Sequence, residues 1–269
     1  MGFENLTLEV RDGLAQLTLD RPNSANAFNL DLAREFQRAA TICAEDSKIR
    51  AVLLTGAGRM FSAGGDLKDF SASEDEIAKR VADTAGALHA GIVQFARMNA
   101  PVVAAVNGPA AGAGMSLVCM TDIALAAESA SFSMAYTAAG LTPDGSSTYF
   151  LPRIVGMRRA RELMLTNRKL SAAEAHAWGI VERVVPDAEL MIEAEVLARA
   201  LASGPTLAFG ATKKLLLASQ NAQFEDQLDA EASAIASMSG TADGRERGCQ
   251  GRRHGVRERP ESGVRGGER

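Results

Sequence analysis

The stretch Pro101–Asp122, PVVAAVNGPAAGAGMSLVCMTD, decides the fold. It begins with an unbroken apolar run, Pro101 to Val106, of the length and character of a strand buried on both faces. Asn107-Gly108-Pro109-Ala110-Ala111 breaks the run, and Gly112-Ala113-Gly114 leads into the apolar segment Met115 to Met120. That order predicts a buried strand, a tight loop of small residues and the start of a buried helix. Small residues let a substrate approach the backbone, and the first N–H groups of a helix have no intrahelical acceptor. The Ala113 amide is therefore a candidate donor for an anionic oxygen.

A second loop of the same kind lies upstream. Ala51 to Thr55 is another apolar run, followed by Gly56-Ala57-Gly58 and by Phe61-Ser62-Ala63-Gly64-Gly65-Asp66. Two small-residue loops after two buried strands suggest an oxyanion hole built from backbone amides.

Working outward, Leu6–Val10 and Leu14–Leu19 alternate apolar with polar residues around Asp12-Gly13, the pattern of a hairpin. Asn29 is placed to cap a helix whose apolar positions are Leu32, Phe36, Ala39, Ala40 and Cys43. Ser73 with Glu76 has the form of a capping box for a long helix reaching about Met98. Asp122–Ala126 and Ser131–Met134 read as strands, and strands alternating with helices predict parallel crossover units rather than a hairpin sandwich. Beyond Tyr136 short helices are expected at Ser146–Leu151 and Met157–Leu165, interrupted by Pro152 and Gly156. Ser171 with Glu174 opens another, and Val181–Val185 is a last strand. Leu190–Leu201, Thr206–Ala218 and Phe224–Met238 follow as amphipathic helices, the mark of a helical appendage.

The composition fits one α/β domain with an appendage: 269 residues, 46% hydrophobic, formal net charge −4. An acidic balance argues against nucleic acid as the main partner. No apolar run approaches the roughly 20 residues of a membrane helix, and Met1-Gly2-Phe3-Glu4-Asn5 lacks the pattern of an export signal, so no membrane is expected and a cytoplasmic location is. Cys43, Cys119 and Cys249 are odd in number and widely spaced, which predicts buried thiols and no metal cluster. Gly56-Ala57-Gly58 starts like a dinucleotide fingerprint, but Phe61 stands where the third glycine belongs. His89 and His176 have no carboxylate and serine at motif spacing, so both are read as surface or packing residues.

The motifs FSAGGDL (61–67), PVVAAVNG (101–108), Gly112-Ala113-Gly114, Asp122-Ile123-Ala124 and Ser171-Ala172-Ala173-Glu174-Ala175 together resemble the crotonase superfamily of enoyl-CoA hydratases and isomerases. The resemblance implies an α/β fold, a spiral of repeated ββα units over residues 1–198, with a C-terminal helical trimerisation region over 199–243. It implies a homotrimer or a hexamer made as a dimer of trimers. No tightly bound cofactor is implied; the substrate is a coenzyme A thioester whose carbonyl oxygen accepts from the Gly65 and Ala113 amides. Ala63, Asp66, Lys68, Gly112 and Phe28 fall at substrate-binding positions, Lys68 within reach of the coenzyme A phosphates. The two glutamates that hold water in the hydratases map onto Ser116 and Tyr136, which cannot act as carboxylate bases. Asp144, in Leu141-Thr142-Pro143-Asp144-Gly145, instead occupies a position used by acid/base aspartates of some isomerases and by the nucleophile of halobenzoyl-CoA dehalogenases. Read without the resemblance, Asp144 is a turn residue capping the helix near Ser146. The nearest likeness is to the ring-epoxide and enoyl-CoA isomerases of phenylacetate breakdown, with enoyl-CoA hydration and a non-catalytic acyl-CoA-binding scaffold as alternatives.

Residues 244–269 carry eight arginines against four glutamates and no helical or strand period. The motif likeness leaves off near Glu246, and a disordered tail produced by a reading-frame change is expected there.

Overall fold

The structure, a computed structural model, describes residues 2–70 and 76–242. Ser73, expected to open the long helix, and the arginine-rich tail lie outside the described residues.

The chain opens with the expected hairpin, β1 (Leu6–Arg11) and β2 (Leu14–Leu19), antiparallel with Leu6 opposite Leu19. Helix α1 (Leu30–Glu45) follows, its first turn capped by Asn29, whose Oδ1 accepts from Leu32 N at 2.9 Å. β3 (Ala51–Gly56) then lies parallel to β2. After a short α2 (Leu67–Phe70) comes α3 (Ile77–Arg97), with Glu76 at its N-cap but no side-chain cap bond. The decisive stretch follows as predicted: β4 (Val102–Val106), a loop containing the two-residue β5 (Ala110–Ala111), and α4 (Ala113–Met120). Then come β6 (Ile123–Ala127) and β7 (Ser131–Ser133). The remainder is α5 (Ser147–Val155), α6 (Met157–Thr166), β8 (Leu170–Ser171), α7 (Ala172–Ala177), β9 (Arg183–Val185), α8 (Leu190–Ala202), α9 (Thr206–Ser219) and α10 (Phe224–Ser239).

The main sheet has the order β1-β2-β3-β4-β6-β9, parallel from β2 onward. β3 and β4 are buried along their whole length, as a sheet covered on both faces requires. Parallel strands all end at the same edge, so the loops after β3 and β4 emerge side by side. A second small sheet, β5-β7-β8, begins in the loop after β4, where Ala110 of β5 bridges to Ser62 of the loop after β3.

Helix α3 is seated on α1, where a Cβ on Gly91 would stand 2.7 Å from Phe36 Cδ1. Phe36 also packs edge-on against Phe28 at 5.8 Å and against Phe95 at 5.2 Å. This aromatic cluster fixes α3 over the loops at the sheet edge.

One expectation fails in detail. Pro152 does not interrupt α5; the helix runs through it and breaks at Gly156, whose φ is +81°. Ser147, Leu151 and Val155 recur at i, i+4 and i+8, all buried, and that packing outweighs the hydrogen bond a helical proline removes. The chain forms two compact units, Met1–Lys214 and Leu215–Arg269; within the second, the described residues contribute the end of α9 and α10.

Candidate active site

The two loops are joined by backbone. Phe28 N donates to Gly64 O at 2.7 Å, and Asp66 N donates to Phe28 O at 2.9 Å. This is a parallel bridge between Phe28 and Gly65, in which Phe28 bonds to the neighbours of Gly65 and leaves the Gly65 amide out. In the second loop Ala111 N donates to Ser62 O at 2.9 Å and Gly112 N to Ser133 O at 3.0 Å. Ala113, next in line, is the first residue of α4, so its N–H has no intrahelical acceptor. Neither Gly65 N nor Ala113 N donates a backbone hydrogen bond.

Close approach of these loops needs glycine at particular places. Gly64 has φ +96°, and a Cβ there would stand 2.8 Å from Ala111 O and 3.1 Å from Ala113 N. A Cβ on Gly114 would meet the Ser62 carbonyl oxygen and lie 2.9 Å from Ser62 Cβ.

The loops are braced from below. Asn26, fully buried, donates to Ala57 O at 2.9 Å and Met60 O at 2.7 Å and accepts from Arg21 N at 2.9 Å. Ser62 Oγ donates to Asn26 O at 2.8 Å. Both Arg21 Nη atoms lie 3.1 Å from Asp66 Oδ2, so Asp66 is an ion-pair partner that fixes the loop. The fingerprint-like Gly56 makes room for the same bracing, since a Cβ there would lie 2.6 Å from Met60 O and 2.8 Å from Asn26 Nδ2.

Gly65, Ala113 and Asp144 all line one cavity of ≈ 330 Å³, together with Phe28, Ala63, Gly112 and Tyr136. Asp144 is the one carboxylate among its described lining residues. Asp66 and Ser116 lie off this wall, and Lys68 is exposed on α2.

Ser116 and Tyr136 act on Asp144 through its backbone. Ser116 Oγ donates to Asp144 O at 3.0 Å and lies 2.9 Å from Tyr136 Oη, while Ser147 Oγ donates to the same carbonyl at 2.8 Å. Burial, with the Asp144 charge added, pushes the Tyr136 phenol far above its ordinary value, so its hydroxyl remains a neutral donor. A Cβ on Gly145, which has φ +59°, would stand 2.9 Å from Ser116 Cβ. The carboxylate is thus carried on a turn pinned to α4.

His89 is exposed, as expected of a surface residue, and is also the neighbour of that carboxylate, which the sequence reading missed. Its Nε2 lies 3.2 Å from Asp144 Oδ2 and 3.1 Å from Gly145 N. One nitrogen cannot accept from the amide while donating to the carboxylate. Protonated at Nε2 the ring donates to Asp144, and that bond, opposed by partial burial, raises the His89 pKa; with Nε2 bare it accepts from Gly145. The pair is separated by 55 residues in sequence, and motif spacing carries no sign of it.

The enoyl-CoA hydratase/isomerase family model matches residues 9–254. The chain belongs to that family, the crotonases. The match runs past Glu246, where the sequence motifs leave off. The chain is 39% identical over 230 residues to a 1,2-epoxyphenylacetyl-CoA isomerase of Escherichia coli (strain K12), covering 85% of this chain and 88% of that protein. It is 39% identical over 210 residues to a 4-chlorobenzoyl coenzyme A dehalogenase of an Arthrobacter species, covering 78% and 76%. Among solved structures, an enoyl-CoA hydratase from Bacillus anthracis matches with a TM-score of 0.87 at 31% identity, covering 94% of this crotonase and 97% of that chain. Among the described residues, no helix is long and apolar enough to cross a membrane, and no cluster of metal-ligating side chains occurs.

Proposed function

We propose that this crotonase isomerises acyl-CoA thioesters, shifting a double bond or rearranging an enoyl- or aryl-epoxide-CoA by proton transfer through Asp144. The observation that carries the proposal is the cavity wall: two amides without backbone partners, at Gly65 and Ala113, and a single described carboxylate. Removing a proton beside a thioester carbonyl puts negative charge on its oxygen. Preorganised amides stabilise that charge, one donor contributing roughly 10²–10³ in rate. Asp144 then returns the proton two atoms away, with His89 Nε2 orienting the carboxylate. Water addition needs a second group to hold and activate the water, and Ser116 and Tyr136 are engaged with each other and with Asp144 O. The acyl-CoA substrate follows from the family. A trimer or dimer of trimers in the cytoplasm is part of the same proposal, supported by apolar side chains exposed along α10, Phe224, Leu228 and Ile235.

The deciding experiment incubates the protein in heavy water with 2-enoyl-, 3-enoyl- and aryl-epoxide-CoA thioesters and follows products by NMR. Positional isomers or ring-rearranged products without added water support the proposal. A hydrated product formed at a comparable rate would overturn it in favour of hydration. Unchanged thioesters, with binding intact, would favour the non-catalytic scaffold.

His89 beside Asp144 also supports a second reading. An aspartate that displaces halide from an aryl-CoA forms an aryl ester, and a neighbouring imidazole is suited to activate the water that hydrolyses it. Halide release from 4-halobenzoyl-CoA with a trapped adduct on Asp144 would establish that route.

A further inference from the structure

Thr84 sits on the face of α3 that lines the cavity, one turn before Leu88 and flanked by Val81 and Ala85. The residue is 4% exposed, and its Oγ1 has no hydrogen-bond partner. Among the described residues it is the one buried, unpartnered side-chain polar group that stands on the cavity wall. A buried hydroxyl normally finds a partner, because burial strips its hydration and an unmade bond returns nothing. Helical threonines commonly solve this by donating to a carbonyl three or four residues back. Thr84 makes no such bond.

Its position says which part of a substrate it faces. Thr84 precedes His89, the α3 residue that touches Asp144, by five residues. At the helical rise of about 1.5 Å per residue, that separates them by roughly 7.5 Å along α3. With the thioester carbonyl at Gly65 and Ala113 as proposed above, Thr84, displaced along α3 from the residue that touches Asp144, is assigned to the part of the acyl group beyond it.

We propose that Thr84 determines acyl specificity by recognising an oxygen substituent, a hydroxyl, epoxide or carbonyl, on the part of the acyl group remote from the thioester. The substrate oxygen supplies the partner that the fold leaves out. Threonine in a helix divides between two χ1 rotamers, so the buried hydroxyl is re-aimed by a single turn about χ1 when a partner arrives. Val81, Ala85, Leu88 and Leu141 on the same wall are apolar and offer such an oxygen nothing; the other neutral hydroxyls among the described lining residues are those of Tyr136 and Thr142. This assignment rests on the acyl-CoA chemistry proposed above, and is tested by binding rather than by turnover.

Equilibrium binding of the full chain to phenylacetyl-CoA is compared with binding to its 3- and 4-hydroxyphenyl counterparts. At least one hydroxylated thioester binds the wild type roughly tenfold tighter than the parent, the worth of one well-made hydrogen bond. Thr84→Ser keeps the preference. Thr84→Val abolishes it while leaving parent binding unchanged. Equal binding of all three by the wild type overturns the assignment even if Thr84→Val does not fold, and so does a preference that survives in Thr84→Val. A preference seen in binding with no turnover of any thioester would overturn the proton-transfer chemistry alone and leave Thr84's role standing.

Discussion

Asp144 is held at both ends, its carbonyl by Ser116 and Ser147 and its carboxylate by His89. Replacing the carboxylate with the equally sized amide removes the proposed base and leaves the scaffold in place. Asp144→Asn is expected to lower kcat by about 10²–10⁴ while thioester binding persists, checked by steady-state kinetics beside equilibrium binding. For His89 the sign of the linkage is set by a folded-state pKa above 6.5, raised chiefly by the bond to Asp144. The stabilisation is complete below the unfolded value and fades as pH rises through the folded one. Denaturant melts from about pH 6 to about pH 8 will therefore show the wild type losing stability relative to His89→Gln. Equal slopes for the two proteins would remove the contact from the account. At this scale the sequence was legible where chemistry is local. Gly65 and Ala113 sit in recognisable strand-to-loop patterns, whereas Asp144, read from its residues alone, is a capping turn and is singled out only by the family resemblance. His89 meets Asp144 only because the aromatic seat of Phe36 brings α3 over the loops, which no periodicity encodes.

Between elements, the site depends on how closely the loop after β3 approaches the start of α4. A methyl group on Gly114 meets Ser62, which itself bonds to Asn26, so neither side yields cheaply. Gly114→Ala is expected to destabilise the fold by about 1–3 kcal/mol and to reduce turnover more than it weakens binding. Urea melts and kinetics on the same preparation check both, and an unchanged kcat would show that this approach does not set the catalytic geometry. The long elements were readable because each carries a clear period or a cap; the Ser171–Glu174 capping box of α7 is present as expected. β5 and β8 are two residues long, too short for alternation to register. Pro152 misled because propensity is a local quantity, whereas the buried face of Leu151 and Val155 anchors α5 through tertiary packing.

Across the larger unit, α9 is tied to the sheet by Lys213, whose Nζ lies 2.7 Å from Asp122 Oδ2 and also donates to Phe95 O and Ala100 O. Burial pushes the Asp122 carboxyl up and the Lys213 amine down, each against the pull of its partner's charge. The pair is therefore more a constraint on arrangement than a source of stability. Lys213→Met is expected to cost about 3–5 kcal/mol by stranding Asp122, and Lys213→Met with Asp122→Asn to recover most of it, measured by denaturant unfolding. A single variant as stable as the wild type would show that the carboxylate finds another partner or water.

The parallel bridge at Phe28 carries a different kind of consequence. Because it engages Gly64 and Asp66 and passes over Gly65, the proposed oxyanion donor is specified by counting along the chain and not by any side chain. Alanine scanning removes side chains and would leave such a main-chain amide in place. A proline at position 65, or the loss of one residue between Ser62 and Gly65, would erase it.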